Sequence, residues 1–293
     1  MTAGEVSLLD AGASRWEGIR DFWIQYKRQG RAIVGLGIVL LSVATALLAP
    51  VIAPYPHNEM SDQLLSPPSA AHLMGTDNLG RDIFSRVVWG TRVSLLFAIG
   101  VAAVSLVVGV VLGAIAGYYG GAIDATLSRT FEVFLMIPRL FLIILIAALF
   151  GTSIGFAVFV VGITIWPSNA RITRAQVLTL KERPFVRAAR ASGASDFRIL
   201  FRHILPNGIY PVVANSTLQM ASAILIEASL SFLGLGDPNQ PSWGQMLQNA
   251  QAYIQTQWWL AFFPGLAIAT LVFGFTLIGD GVNYALDPRF RQQ

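Results

Sequence analysis

Cysteine is missing from the sequence altogether, which excludes disulfide staples, thiolate-bound metals and a cysteine nucleophile. Histidine is scarce, with only His57, His72 and His203; they are scattered, and no HExxH pattern gathers them on one helix. No GxxxxGK[ST] segment occurs, so the chain has no P-loop with which to bind a nucleotide. Charge is thin as well: 12% of residues are Asp, Glu, Lys or Arg, about half of the roughly 25% usual in soluble domains. Apolar residues take their place, at 54% of the chain, and this is the composition of a membrane protein.

Apolar stretches run through residues 32–52, 93–118, 131–150, 154–166, 210–230 and 258–278. Most reach the ~20 residues that a helix needs to cross a ~30 Å hydrocarbon core. The fourth is short and has to take in its polar flank as far as Ala170. The predicted fold class is all-α, with six transmembrane helices. The first stretch begins after some thirty residues and is too long for a signal peptide, so it is expected to be a retained helix.

Orientation follows from positive charge, because cytoplasmic loops retain Lys and Arg. Arg15, Arg20, Lys27, Arg28 and Arg31 precede the first span; Arg171, Arg174, Lys181, Arg183, Arg187, Arg190, Arg198 and Arg202 lie between the fourth and fifth; Arg289 and Arg291 close the tail. Both termini are therefore predicted to be cytoplasmic. Residues 234–257 hold no Lys or Arg, and residues 53–90 hold only Arg81 and Arg86, so these loops are expected outside. The same one-sided distribution accounts for the pI of about 9.7 and argues against a nucleic-acid partner.

Local patterns refine this picture. Trp16, Ile19, Phe22, Trp23 and Tyr26 share a helical face among Arg and Lys, as in a segment lying in the headgroup layer; a disordered tail is the alternative. Gly109, Gly113 and Gly117 recur at four-residue intervals and let a second backbone approach, in this subunit or a partner. Pro138 and Pro167 fall inside predicted spans, where each frees a carbonyl and kinks the helix, statically or as a hinge. Ionisable residues at membrane depth are functional candidates. Glu132, Arg139, Glu227 and Asp280 qualify, each open to a structural reading; Glu227, with Ser229 and Ser231 beyond it, is the candidate for a substrate pathway.

The segment KERPFVRAARASGASDFRILFRHILP, residues 181–206, reads as two short helices around a turn. Pro184 suits a first helical turn, Gly193 a left-handed stop, and Ser195 an N-cap. Phe197, Leu200, Phe201 and Ile204 follow at i, i+3, i+4 and i+7 and predict one apolar stripe, ended by Pro206 and Asn207. Such an element would act as a lever in a partner's groove.

Here the sequence resembles a known family. Arg187-Ala188-Ala189, then Gly193, then Ile204-Leu205-Pro206 are similar to the EAA loop of bacterial ABC importer permeases, except that Arg187 stands where that pattern most often has Glu. Residues 74–82 (MGTDNLGRD), with Ser85-Arg86, residues 227–236 (EASLSFLGLG), Pro241-Ser242-Trp243-Gly244, and the tail from Gly279-Asp280-Gly281 to Leu286-Asp287-Pro288-Arg289 resemble the second-permease (Dpp/Opp C-type) branch of the dipeptide, oligopeptide and nickel permeases.

The resemblance implies the type I importer permease (MetI-like) fold in a multi-pass protein of the bacterial inner membrane, with no catalytic residues. Arg187, Ala188, Ala189, Gly193, Ala194, Asp196, Leu205 and Pro206 would dock on an ATPase. Asp77, Arg81, Asp82, Gly234, Gly236 and Trp243 would form an external loop or gate, either bracing the outer mouth or receiving a binding protein. The implied organisation is a cytoplasmic or interfacial segment over 1–31, a first span and external loop over 32–90, a core permease domain over 91–288 with its coupling loop at 172–207, and a tail at 289–293. The implied partners are a sister permease in a heterodimer, two cytoplasmic ATPase subunits, an extracytoplasmic substrate-binding protein and the lipid bilayer. No cofactor or metal belongs to this chain; ATP and Mg would sit on the ATPases. The implied cargo is a di- or oligopeptide, with nickel, glutathione or another small solute as alternatives. A self-sufficient secondary transporter would show internal repeats with interrupted helices, and no convincing repeat relates the two halves.

Overall fold

The computed structural model describes residues 20, 22–150 and 153–286; Arg15, Trp16, Ile19, Asp287, Pro288, Arg289 and Arg291 lie outside the described residues. Helix α1 covers 22–28. It is followed by α2 (Gly30–Leu47), α3 (Ala49–Ile52), α4 (Ile83–Tyr119), α5 (Gly121–Met136), α6 (Arg139–Phe150), α7 (Ile154–Leu180), α8 (Pro184–Ala191) and α9 (Asp196–Arg198). A π-helical turn, Ile199–Ile204, joins α9 to α10 (Leu205–Gly208); α11 (Tyr210–Phe232), α12 (Trp243–Ala250) and α13 (Trp259–Leu286) complete the chain.

The glycine stripe builds the centre of this arrangement. A Cβ on Gly109 would lie 2.5 Å from Asn169 Cβ, one on Gly113 2.3 Å from the Ala170 carbonyl, and one on Gly117 2.8 Å from the Arg174 carbonyl. Residue numbers rise together on both helices, so α4 and α7 run parallel. The close approach continues toward their starts, where a Cβ on Gly162 would strike Val104 and one on Gly100 would strike Val158. The stripe therefore serves packing within the subunit. Lipid tails are as apolar as leucine, so contact of this kind, not water exclusion, holds helices together in a bilayer.

The remaining long helices attach to this pair. Helix α11 packs on α4 and α13, and α13 packs on α2. Gly35 of α2 lies against Gly274 and Leu277, and Tyr26 and Ala32 cluster with Ala285. The start and the end of the described chain thus meet at the end where α4 and α7 finish. That end carries the Arg and Lys of the 171–202 segment and is termed the basic end; the other is the loop end.

Four helices are continuous, long and apolar enough to cross a membrane, and up to six spans result if each of two bent pairs counts as one. One bent pair replaces the predicted third span: α5 and α6 meet at 84° across Ile137 and Pro138, where Pro138 cannot donate to the helix ladder. Pro167, by contrast, lies inside the unbroken α7. The fourth span runs on to Leu180 because its polar residues Asn169 and Thr173 are buried against neighbouring helices. The second bend, 59°, separates residues 196–208 from α11. It falls after Gly208, whereas Pro206 sits in the first turn of α10, where a missing N–H is harmless.

Gly113→Ala is expected to destabilise the chain by about 1–3 kcal/mol through overpacking. Gly265→Ala, where nothing lies within 4 Å of the new methyl, should be neutral or slightly stabilising. Thermal unfolding of the two variants in detergent micelles compares them directly.

Candidate functional site

The lever at the basic end is built as its local sequence dictates. Pro184 opens α8. Gly193, at φ 77°, ends it: Gly193 N–H donates to the Arg190 carbonyl at 3.0 Å and Ala194 N–H to the Ala189 carbonyl at 3.1 Å, a Schellman stop. Ser195 then caps α9 by accepting from Arg198 N–H. Val186, Ile199, Leu200, Ile204 and Leu205 are buried against Ala114 and Val177, so the lever rests on the ends of α4 and α7. Asp196 accepts from the Tyr118 hydroxyl at 2.5 Å, and Lys181 Nζ donates to the Gly117 carbonyl at 3.2 Å. Arg190, hydrogen-bonded to the Tyr118 hydroxyl, is held above its ordinary pKa. Arg187 and Ala188 are exposed, Ala189 half-buried.

The predicted apolar stripe is only half present. Leu200 and Ile204 are buried, but Phe197 is 70% and Phe201 42% exposed, their rings 4.5 Å apart. A π turn holds more residues per turn than the 3.6 of an α-helix. Residues spaced for one α-helical face therefore diverge, and Ile199 and Leu205 take the inward places of the two phenylalanines.

At the loop end, the residues singled out before α4 form a tight fold. Asp77 accepts from Leu79 N–H at 2.9 Å, Arg81 N–H at 3.0 Å and Arg81 Nε at 2.7 Å. Asp82 caps α4 through Ser85 N–H at 2.7 Å and lies 2.9 Å from His72 Nδ1. Arg81 therefore pairs with Asp77, and Asp82 with His72. Beside them, burial and the nearby Arg86 hold the His57 imidazole below its ordinary pKa. Trp243 is 2% exposed; its indole N–H donates to the Val87 carbonyl at 3.0 Å, and its ring fits where Gly90 has no side chain. Gly234, at φ 81°, ends α11 with the same hydrogen-bond pair as Gly193, from Gly234 N–H to Ser231 and from Leu235 N–H to Leu230. Gly236 is packed on Ser231, 2.3 Å from its Oγ had it a Cβ, and brings the following loop down over Glu227.

Of the pathway candidates, Glu227 and Ser231 come together, with Ser231 Oγ donating to Glu227 Oε1 at 2.8 Å. Ser229 does not join them; it is exposed and bonds back to the Leu225 carbonyl. Arg139 and Asp280 are exposed, and Glu132 pairs with Arg129 at the surface. These three lie apart from the Glu227 site.

Between the two ends lies an uncharged polar knot that a search for ionisable residues passes over. Asn169 Nδ2 is 3.1 Å from Ser105 Oγ, Ser216 Oγ and Gln219 Oε1. Asn169 Oδ1 accepts from Asn215 at 2.8 Å, and Ser105 donates to Gln219 at 2.9 Å. Helices α4, α7 and α11 are thereby pinned in one register. Ser, Asn and Gln recurring inside apolar spans were the signal for it.

A bundle of helices long and apolar enough to cross a membrane, with a short helical pair at its basic end and a folded loop at the other, is the architecture of a multi-span membrane protein. The fold is shared with the solved inward-facing MetNI methionine ABC transporter, with a TM-score of 0.56 at 19% identity over 69% of this chain and 97% of that one. Residues 109–292 match the family described as binding-protein-dependent transport system inner membrane component, and residues 18–68 match the N-terminal TM domain of oligopeptide transport permease C. The chain belongs to this family of multi-pass inner-membrane transport components. Similar proteins include the dipeptide transport system permease protein of Escherichia coli K12, 42% identical over 282 residues covering 94% of each chain. That of Alkalihalophilus pseudofirmus is 41% identical over 93% of this chain and 90% of its own. The glutathione transport system permease protein of Pectobacterium atrosepticum is 40% identical over 93% of this chain and 91% of its own.

Asn169→Leu would leave Ser105, Asn215, Ser216 and Gln219 short of partners and should cost about 2–3 kcal/mol. Thr217→Ala, which removes a hydroxyl bonded only to its own helix, should change stability by less than about 0.5 kcal/mol. Denaturation midpoints in mixed micelles separate the two.

Proposed function

We propose that this chain is one of two permease subunits of an ATP-driven importer for di- or oligopeptides. The observation that carries the substrate class is the likeness, over 94% of both chains, to a permease named for dipeptide transport. The basic end faces the cytoplasm, in line with retention of Lys and Arg on that side. A sister permease completes the translocation path, two ATPase subunits bind ATP and Mg, and an extracytoplasmic binding protein delivers the cargo to the loop end. Asp77, Arg81, Asp82, Gly234, Gly236 and Trp243 form the rigid outer mouth.

Coupling runs through the lever. Its exposed surface offers Arg187, whose side chain has no ion-pair or hydrogen-bond partner among the described residues, and the Phe197–Phe201 pair. Its buried surface is fixed to α4 and α7, so movement of a docked ATPase is passed to the helices that line the path. The free-energy difference between outward and inward states comes from ATP binding and release on the partners. A glutathione importer is the second reading, favoured by the likeness to the Pectobacterium permease; both cargoes are peptide-like.

Two variants test the lever in proteoliposomes holding the complete transporter, by ATP-driven uptake of a radiolabelled dipeptide. Gly193→Val places a β-branched residue at positive φ, which costs roughly 1–3 kcal/mol; uptake should fall at least tenfold while membrane levels hold, and Gly193→Asn should retain most of it. Normal uptake by the valine variant would remove the lever from the mechanism. Arg187→Glu should weaken co-purification of the ATPase, with recovery on reversing an acidic residue of the ATPase; an unchanged yield would show that Arg187 makes no contact there.

A further inference from the structure

Helix α1 carries charge that neither the lever nor the loop end uses. Residues 20–31 hold Arg20, Lys27, Arg28 and Arg31 against one acid, Asp21. All four cations are exposed, and no ion pair among the described residues includes any of them. Lys27 Nζ lies 5.2 Å from the centroid of the Trp23 ring, a contact that holds the ammonium over the indole. Trp23 in turn stacks on Tyr26, with ring centroids 5.7 Å apart. Tyr26 is 3% exposed, donates to the Ala32 carbonyl at 3.2 Å and packs with Ala32 and Ala285, which fixes one side of α1 to the ends of α2 and α13. The aromatic face expected in the headgroup layer is therefore divided: Phe22 and Tyr26 turn to the protein, while Trp23 and Ile24, 43% and 46% exposed, turn away from it.

The depth of these cations follows from α2. Its 18 residues extend about 27 Å at ~1.5 Å each, nearly the ~30 Å of a hydrocarbon core. Arg31 stands in its first turn and so lies at the hydrocarbon boundary, with Lys27 and Arg28 just before it across the extended Gln29. Farther along α2, Ile33, Val34, Leu40 and Leu41 are exposed, an apolar stripe that runs from the cations into the hydrocarbon. Unpaired cations above an apolar stripe are the complement of a phospholipid, phosphate above and acyl chains below. A zwitterionic headgroup brings a cation of its own into this positive field; a headgroup of net negative charge does not. An acidic soluble protein would match the charges, but it cannot follow α2 into the hydrocarbon and leaves Trp23 and Ile24, at the same depth, without a counterpart.

We infer that α1 and the first turn of α2 form a site for an anionic phospholipid, its phosphate drawn to Lys27, Arg28 and Arg31 and the upper part of its acyl chains to Trp23 and Ile24. Arg20, before α1, adds to the same field. The site is independent of the cargo and of the partner subunits. A bound lipid holds α1 down on the ends of α2 and α13, and so ties the described start of the chain to its end.

The test reconstitutes the full chain in phosphatidylcholine vesicles doped with phosphatidylglycerol or phosphatidylcholine brominated on the acyl chains, and reads quenching of tryptophan fluorescence. The share due to Trp23 is the difference between each protein and its Trp23→Phe counterpart. Brominated phosphatidylglycerol should be preferred over brominated phosphatidylcholine at Trp23 by about fivefold or more, and high salt should reduce that preference. Lys27→Gln, Arg28→Gln and Arg31→Gln together should abolish it. The same change at three exposed cations of the lever, Arg183, Arg198 and Arg202, should leave it intact. Equal quenching by the two lipids in the wild type, or equal loss in both triple variants, overturns the inference; the wild-type comparison needs no variant to fold. Co-purification of the ATPase subunits is measured for the α1 triple variant: an unchanged yield is expected, whereas a lost yield with lipid preference intact would give this face to a protein partner and overturn the lipid site.

Discussion

The rest of the fold hangs on the backbone contact between α4 and α7. Three glycines of α4, with Gly100 and Gly162 beside them, allow parallel helices to touch where any side chain would collide. Because association in a bilayer lacks a hydrophobic drive, this contact is a principal source of cohesion rather than a refinement of it. The lever rests on the ends of the two helices, the polar knot closes around their middle, and Glu227 with Ser231 lies beside Val93, Phe97, Ile154 and Ala157 toward their starts. A helix pair that shifted would carry all three with it.

Polar groups give the bundle its specificity. The knot around Asn169 fixes the relative height of three helices without a charge, and so without the desolvation penalty of a buried ion pair. Outside the hydrocarbon, the 53–82 loop has little regular structure, yet Asp77 and Asp82 each satisfy several donors. Its side chains do for that segment what a sheet ladder does elsewhere. The cap of α4 and the buried Trp243 then join loop and helix, so the loop end is one packed piece.

Much of this was legible in the sequence. Apolar runs of membrane length, the glycine interval and the Pro184, Gly193 and Ser195 signals each depend on local chemistry, and each has its counterpart in the structure. What the sequence hid depends on neighbours. The extent of α7 beyond Trp166 follows from burial of Asn169 against α4 and α11, which hydropathy along one helix does not report. Ser229 sits two residues from Glu227 and faces away, because spacing of two on a helix separates side chains by about 200°. The position of the break at Pro138 was indicated as a kink, but its 84° size was not, because a missing N–H marks where a helix yields and not by how much.

The π turn at Ile199–Ile204 decides which side of this segment the subunit buries. Both of its faces are hydrophobic, one aliphatic and one aromatic, so polarity does not decide which is kept and which is offered. Backbone winding decides it. A turn wound more loosely than an α-helix puts the helix out of phase with its own sequence pattern, turning Ile199 and Leu205 to the subunit and Phe197 and Phe201 away from it. The division of apolar surface between the buried and the exposed side is therefore written in the pitch of six residues.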